Sequence, residues 1–420
     1  MAASLPPYYS KKLANGLEVV AIPLAKNGVV TTDIFYRVGS RNEVMGKSGI
    51  AHMLEHLNFK STKNLKAGEF DEIVKRFGGI NNASTGFDYT HYFIKSSREN
   101  MGRSLELYAE MMQHLLLLDE EFQPERNVVA EERRWRTDNN PMGYLYFRLF
   151  NTAYTYHPYH WTPIGFMEDI TSWTIEDIRS FHRRYYRPSN AMIVVAGDVD
   201  PQELFALAEK HFGGIVDNGE PIPPVHMKEP KQDGERRAII YKESQTELLA
   251  MAWHIPAFDH PDMAPLHVIG ELLGSGKSSR LAKQLIDKKQ LVNQIYAYPM
   301  SQIDPGLFVI IAVCNEGVKA EMVEAEILKE IEKIKKGNIS KAELDKVKVN
   351  TRSDFIFALE DSSSVADLYG GYLIRGNIAP LLRYEEEIEK MTRSDIAKVA
   401  RTYFTRSNTT VVILRKEDKQ

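Results

Sequence analysis

Residues 49 to 59 read Gly-Ile-Ala-His-Met-Leu-Glu-His-Leu-Asn-Phe, and three of them can do chemistry together. On a helix, His52 and His56 stand one turn apart on one face, so both imidazoles can reach one ion. Glu55 lies three residues after His52 and one before His56, placed to face the same site without entering the coordination sphere. Zinc takes neutral imidazole nitrogen and carboxylate oxygen, and a catalytic site keeps one position for water. The ion lowers the pKa of that water towards neutrality, and an adjacent carboxylate can accept the proton. Two ligands and a general base thus fit within five residues. Alone, the match also suits a helix with two satisfied histidines and an exposed glutamate. A third ligand is expected on another helix, where Pro124-Glu125-Arg-Asn-Val-Val-Ala-Glu131-Glu132 offers carboxylates. Spacing does not choose among Glu125, Glu131 and Glu132.

The elements that must position these residues are written twice. Leu17–Ile22, Val29–Val38 and Thr90–Lys95 read as strands, and Gly49–Phe59, Gly68–Phe77 and Arg103–Leu118 carry apolar residues at helical spacing. Between Ile215 and Arg237 the chain holds Gly219, Pro221, Pro223, Pro224, Pro230 and Gly234, the composition of a linker. On either side the pattern repeats. Thr174, Asp177, Tyr185, Ser189 and Asn190 recur as Thr392, Asp395, Tyr403, Ser407 and Asn408, every pair 218 residues apart. Such a shared register marks a duplicated unit. Strands mixed with helices, without regular βαβ alternation, predict an α+β fold of two homologous domains, each a mostly antiparallel sheet covered by helices. The expected boundaries are 1–215 for the zinc-bearing domain, 216–236 for the linker and 237–420 for a second domain without a metal site. The 218 offset puts Gly270, Leu273, Gly274 and Asn350 at the places of His52, Glu55, His56 and Glu132, and none of these can replace its counterpart. His267 and Glu271 form no substitute, since His-x-x-x-Glu lacks a second histidine.

Composition narrows the function classes. A chain of 420 residues suggests two to four domains, and 53 Lys and Arg against 57 Asp and Glu leave a net charge of −4. That balance makes no case for a nucleic-acid partner or a charged membrane surface. A single cysteine, Cys314, excludes an internal disulfide or a thiolate cluster, so a metal site must use His and carboxylates. No apolar run approaches the roughly 18 residues of a membrane span. The start, Met1-Ala-Ala-Ser-Leu-Pro-Pro, has neither a basic nor an apolar signal region. A soluble bacterial protein is expected, periplasmic if Met1 replaces a removed signal peptide and cytoplasmic otherwise. The aromatics of Tyr144–Trp161, with His157 and His160, read as packed core or chamber wall. Lys329–Lys348 reads as solvated helical faces, and Cys314 as a buried small hydrophobe.

The sequence resembles the pitrilysin/insulinase-type (M16) zinc metallopeptidases, in particular their short-chain branch of paired peptidases, which includes mitochondrial processing peptidase. Leu13-Ala-Asn15-Gly16-Leu17, Gly39-Ser-Arg-Asn-Glu43, His52-x-x-Glu55-His56 and Phe59-Lys-Ser-Thr62 carry the likeness in the first part of the chain. Gly78-Gly79-x-x-Asn82-Ala83-x-Thr85, His157-Pro158-Tyr159 and Gly274-x-Gly276-x-Ser278-Ser279-Arg280-Leu281 continue it. His-x-x-Glu-His is the inverted order of the zinc motif. The resemblance implies Glu132 as third ligand, Glu125 as a supporting acid, and Glu131 as a neighbour pointing elsewhere. It also implies that Asn82 and Ala83 lie on an edge strand where substrate backbone adds as a further strand, with Asn82 near the scissile carbonyl; propensity alone reads Asn81-Asn82 as a turn.

One departure from the family pattern bears on partners. Self-sufficient members carry an Arg and a Tyr, seven residues apart, in the second half; here Ile286 and Asn293 stand at those places. Isoleucine offers no cationic fork. The resemblance therefore implies a zinc-dependent endopeptidase subunit acting on peptides or unfolded segments, in a heterodimer whose homologous partner supplies the Arg/Tyr pair. Alternatives are a self-sufficient homodimer, with Tyr296 or Tyr298 replacing the missing tyrosine, and a non-catalytic scaffold subunit of the same family.

Overall fold

The computed structural model describes residues 5–24 and 26–416; the first four residues of the start discussed above lie outside them. Two sheets organise the chain. The first is formed by β1 (Tyr9–Lys12), β2 (Glu18–Pro23), β3 (Val29–Tyr36), β4 (Ile80–Thr85), β5 (Thr90–Ser97) and β6 (Ala191–Gly197), in the order β1-β2-β6-β3-β5-β4. The second contains β7 (Arg236–Lys242), β8 (Leu248–His254), β9 (Val292–Pro299), β10 (Leu307–Cys314) and β11 (Thr409–Lys416), in the order β7-β11-β8-β10-β9. One pair in each is parallel, β2 with β6 and β7 with β11, and the others are antiparallel. The α+β expectation of two mostly antiparallel sheets with helices is met.

The duplication is visible in small devices. Thr174 accepts a hydrogen bond from the Asp177 amide while the Asp177 carboxylate accepts from the Thr174 amide, and Thr392 with Asp395 builds the same capping box. Asn190 donates to the Tyr185 carbonyl at 2.9 Å and Asn408 to the Tyr403 carbonyl at 2.8 Å. Each such pair lies at the 218 offset. The offset slips at one hairpin. Thr90 of β5 faces Thr85 of β4, whereas Phe308 of β10 faces Pro299 of β9. The second hairpin is therefore four residues longer, and Tyr296 rather than residue 300 takes the strand position of Asn82.

Compact units do not coincide with the sequence halves. The first unit comprises residues 1–131, 161–226 and 354–381, and the second 132–160, 227–353 and 382–420. Each half lends one helix to the other half's sheet. Helix Ser362–Ile374 packs on β3 and β6 in the first unit. There Ser362 meets Thr31 at 2.8 Å, and a Cβ on Gly370 would come within 2.3 Å of the Phe35 ring. In the second unit the helix Pro141–Ala153 packs on β8 and β11. The cause lies in the strands: β6, Ala-Met-Ile-Val-Val-Ala-Gly, is buried throughout, and β8 nearly so. Strands apolar on both faces require cover on both. The linker expected at 216–236 has no regular element before β7 begins at Arg236.

Candidate metal centre

Helix α1 (Ile50–Leu57) packs Ile50, Ala51, Met53, Leu54 and Leu57 into the first core. His52, Glu55 and His56 are left together on the opposite, half-buried face. The helix starts at Gly49, whose φ of +83° is left-handed and whose Cβ would meet the Ile164 carbonyl at 2.6 Å; only glycine suits that position. The His52 and His56 rings lie 4.8 Å apart between centroids, at 82°.

Helix α2 (Glu69–Arg76) leads into β4, and α3 (Met101–His114) precedes α4 (Asp119–Arg133). Glu125 and Glu132 both belong to α4. Ligand atoms of His52, His56 and Glu132 all lie within 4.8 Å of one another, and no other group of three His, Cys, Asp or Glu residues converges this way among the described residues. Two imidazoles and one carboxylate suit zinc and leave room for a fourth ligand. Glu131 is exposed. After α4 the chain makes a wide π-helical turn, Arg134–Asp138, from which the Arg136 Nε reaches the Glu132 carboxylate at 3.1 Å.

Glu125 lies outside the converging triad and beside His56 and Lys60. Its carboxylate accepts a hydrogen bond from Nδ1 of His56 at 2.8 Å and meets Lys60 Nζ at 2.6 Å. Donation from Nδ1 leaves Nε2 of His56 with its lone pair for an ion. Burial pushes the Glu125 carboxyl up, but the bonds from His56 and Lys60 outweigh it and hold the group below its ordinary range. Glu55 accepts a hydrogen bond from the Thr85 hydroxyl at the end of β4.

β4 is the free edge of the first sheet: it pairs with β5 on one side and with no strand on the other among the described residues. It packs beside α1, with Asn82 exposed and Ala83 half-buried. Asn82 Oδ1 accepts from the Ala83 amide at 2.9 Å, and Asn81 donates to Asp71 at 2.7 Å. The segment that turn propensity alone reads as a turn is a strand.

Several residues around the site were not singled out as functional candidates. Lys60 and Thr85 stand inside the quoted motifs, but their links to Glu125 and Glu55 depend on distant elements. Glu43 is only 2% exposed and binds the first turn of α1 together with Trp161. Burial pushes its carboxyl up to about 8, against the pull of bonds from Ala51, Gly49 and Trp161.

Among the described residues of 237–420, no three His, Cys, Asp or Glu side chains converge on one point. Helix Met263–Gly274 lies directly on β9, and a Cβ on Gly274 would fall 2.3 Å from the Ala297 nitrogen. Gly270 approaches the same strand, its Cβ position 3.3 Å from the Ala297 carbonyl. Ile286 packs against the second core, and Asn293 is exposed; Tyr296 is half exposed on β9. His157 is buried, bonded to Asp304 at 2.9 Å, and His267 is half-buried, with its pKa lowered to about 4 by desolvation. Cys314 is free and buried.

Residues 19–161 match the family described as Insulinase (Peptidase family M16), and residues 172–350 match the Peptidase M16 inactive domain. A curated relative from Helicobacter pylori, named zinc protease PqqE, is 55% identical over 414 residues, covering 98% of this chain and 93% of its own. The chain belongs to the M16 peptidase family. Another M16 relative, the mitochondrial-processing peptidase subunit beta of Saccharomyces cerevisiae, is 26% identical and covers 94% of this chain and 88% of its own. A crystal structure of a protease from Helicobacter pylori superposes with a TM-score of 0.97 at 54% identity, covering 98% of this chain and all of that one. An M16-like peptidase structure from Alicyclobacillus acidocaldarius, at 19% identity, shares the fold with a TM-score of 0.86, covering 99% of this chain and all of that one. No helix among the described residues is long and apolar enough to cross a membrane.

Proposed function

We propose that this M16 chain is the zinc-bearing subunit of an endopeptidase that cleaves peptides or unfolded protein segments. The observation that carries the reading is the convergence of His52, His56 and Glu132, with Glu55 on the same face of α1. The two histidines and Glu132 would hold the ion. Zinc supplies a Lewis acid that acidifies water at neutral pH. Glu55 would take the proton from the attacking water and return it to the leaving amine, its carboxylate steadied by Thr85. Glu125 would keep the His56 ring in its ligating orientation. Substrate would add along the free edge of β4 as an extended strand, with Asn82 and Ala83 contacting its backbone. The metal chemistry would reside in the first sequence half, 1–215, while 237–420 would be a homologous copy without it.

Ile286 and Asn293 stand where self-sufficient relatives carry an Arg and a Tyr, so the chain would work with a homologous subunit that supplies them. The test compares peptide cleavage by the purified chain alone with cleavage after addition of a homologous M16 subunit bearing that pair. A large gain supports the heterodimer. Equal rates contradict it and favour a homodimer with its own substrate-binding residues. We place the protein in the bacterial cytoplasm or periplasm, which fractionation of the source cells separates.

A further inference from the structure

The metal helix begins without a side-chain cap of its own. Its N-cap is Gly49, and the amides of a first helical turn have no acceptor within the helix. Glu43 supplies what is missing. One carboxylate oxygen accepts from the Gly49 amide at 2.9 Å and from the Trp161 indole at 2.8 Å, and the other accepts from the Ala51 amide at 2.9 Å. Glu43 and Trp161 are both buried, at 2% and 3% exposure, so water does not compete for these bonds.

Ala51 immediately precedes His52, which lies in the first turn of α1. Rotating or fraying that turn moves the His52 imidazole directly. His56, one turn later, has its own tether in Glu125, and Arg136 contacts Glu132. Resting on the reading of this triad as a zinc site, we propose that Glu43 is a positioning residue which, through Gly49, Ala51 and Trp161, fixes the turn that presents His52 to the metal. Nothing in the proposal makes Glu43 touch metal or substrate. The Gly-Ser-Arg-Asn-Glu segment and Trp161 acquire a common purpose: both ends of this contact hold the start of α1.

Glu43→Gln is the informative change. In either protonation state both oxygens of Glu43 can accept hydrogen bonds, but an amide nitrogen cannot, so the variant must lose an acceptor facing α1 or Trp161. A matched control exists in the second unit, where buried Glu247 accepts from the Ala320 amide at 2.8 Å at the start of helix Ala320–Lys335. Zinc dissociation constants of the full chain, measured by competition with a chromophoric chelator, are compared with melting temperatures for wild type, Glu43→Gln and Glu247→Gln. Both variants are expected to melt lower, but only Glu43→Gln binds zinc more weakly, by about tenfold or more. A folded Glu43→Gln protein with wild-type affinity overturns the proposal. So does an equal loss of affinity in Glu247→Gln, which would mark a general effect of lost stability. If Glu43→Gln does not fold, Trp161→Phe removes one donor while leaving both helix bonds in place, and a severalfold weaker affinity is expected; an unchanged constant overturns the proposal. A wild-type chain that binds no zinc defeats the metal reading itself, a distinguishable result.

Discussion

Glu125 stands 2.8 Å from the Nδ1 of His56, although the two residues are 69 positions apart and lie on different helices. Lys60 holds the second oxygen of the same carboxylate at 2.6 Å, so the acid is fixed from two sides before it orients the imidazole. Replacing Glu125 by Gln removes the negative partner and frees the choice of His56 tautomer. Zinc affinity is expected to fall about 10- to 100-fold, with a smaller change in folding stability, as read by chelator competition and thermal melting. Glu131→Gln, on the exposed side of the same helix, is expected to leave both measurements near wild type.

The exchanged helices make a prediction about truncation. Residues 1–226 lack the segment 354–381 of the first compact unit, and with it the helix over β3 and β6. Phe35, packed against Gly370, would then face water. Expressed alone, 1–226 is expected to aggregate or melt without cooperativity, whereas a fusion carrying residues 354–381 recovers a sharp transition. Cooperative folding of 1–226 alone would contradict the assignment of the helix to that unit.

The close packing of helix Met263–Gly274 on β9 can be tested by one methyl group. In Gly274→Ala the new Cβ would sit 2.3 Å from the backbone nitrogen of Ala297, so the helix must move away from β9. A destabilisation of about 1–3 kcal/mol is expected in denaturant melts. Gly214→Ala, where a Cβ meets nothing within 4 Å, serves as the neutral control.

Acid stability carries a signature of the same duplication. Glu343, at the 218 offset from Glu125, is pushed up by burial, but bonds from Arg280 and Ser340 outweigh that and hold its pKa at about 2, below the ordinary 4.5. A depressed carboxyl pKa stabilises the fold above the unfolded value, and that stabilisation is lost as pH falls through the folded one. Between about pH 4.5 and 2 the melting temperature should therefore fall less steeply in Glu343→Gln than in wild type. Identical slopes would show that the pair contributes nothing.

What was legible in the sequence was local or periodic. The His52-Glu55-His56 face follows from helical spacing, and strands β2, β3 and β5 from their residue pattern. Glycine and proline composition marked the linker, and the repeat around it was visible because capping residues such as Thr174 and Thr392 do the same work in both copies. The exchange of helices was not legible: Ser362–Ile374 shows only an apolar, glycine-containing pattern, and nothing local says which sheet it covers. The hairpin between β9 and β10 escaped the uniform offset because an insertion in a turn leaves no periodic trace. Glu43 was visible within a motif, but its role depends on Trp161, more than a hundred residues away. Spacing alone left Glu125, Glu131 and Glu132 open, and the resemblance pointed to Glu132, whose ligand atoms lie near those of His52 and His56.

The most direct test of the account is to load wild type and Glu55→Gln with zinc and measure bound metal and hydrolysis of a fluorogenic peptide, with a homologous partner subunit present. The account predicts one zinc per chain in both proteins, since Glu55 is not a ligand, and at least a 100-fold loss of cleavage in Glu55→Gln. Equal zinc with no cleavage that depends on Glu55 would contradict a peptidase and leave a metal-bearing scaffold in its place.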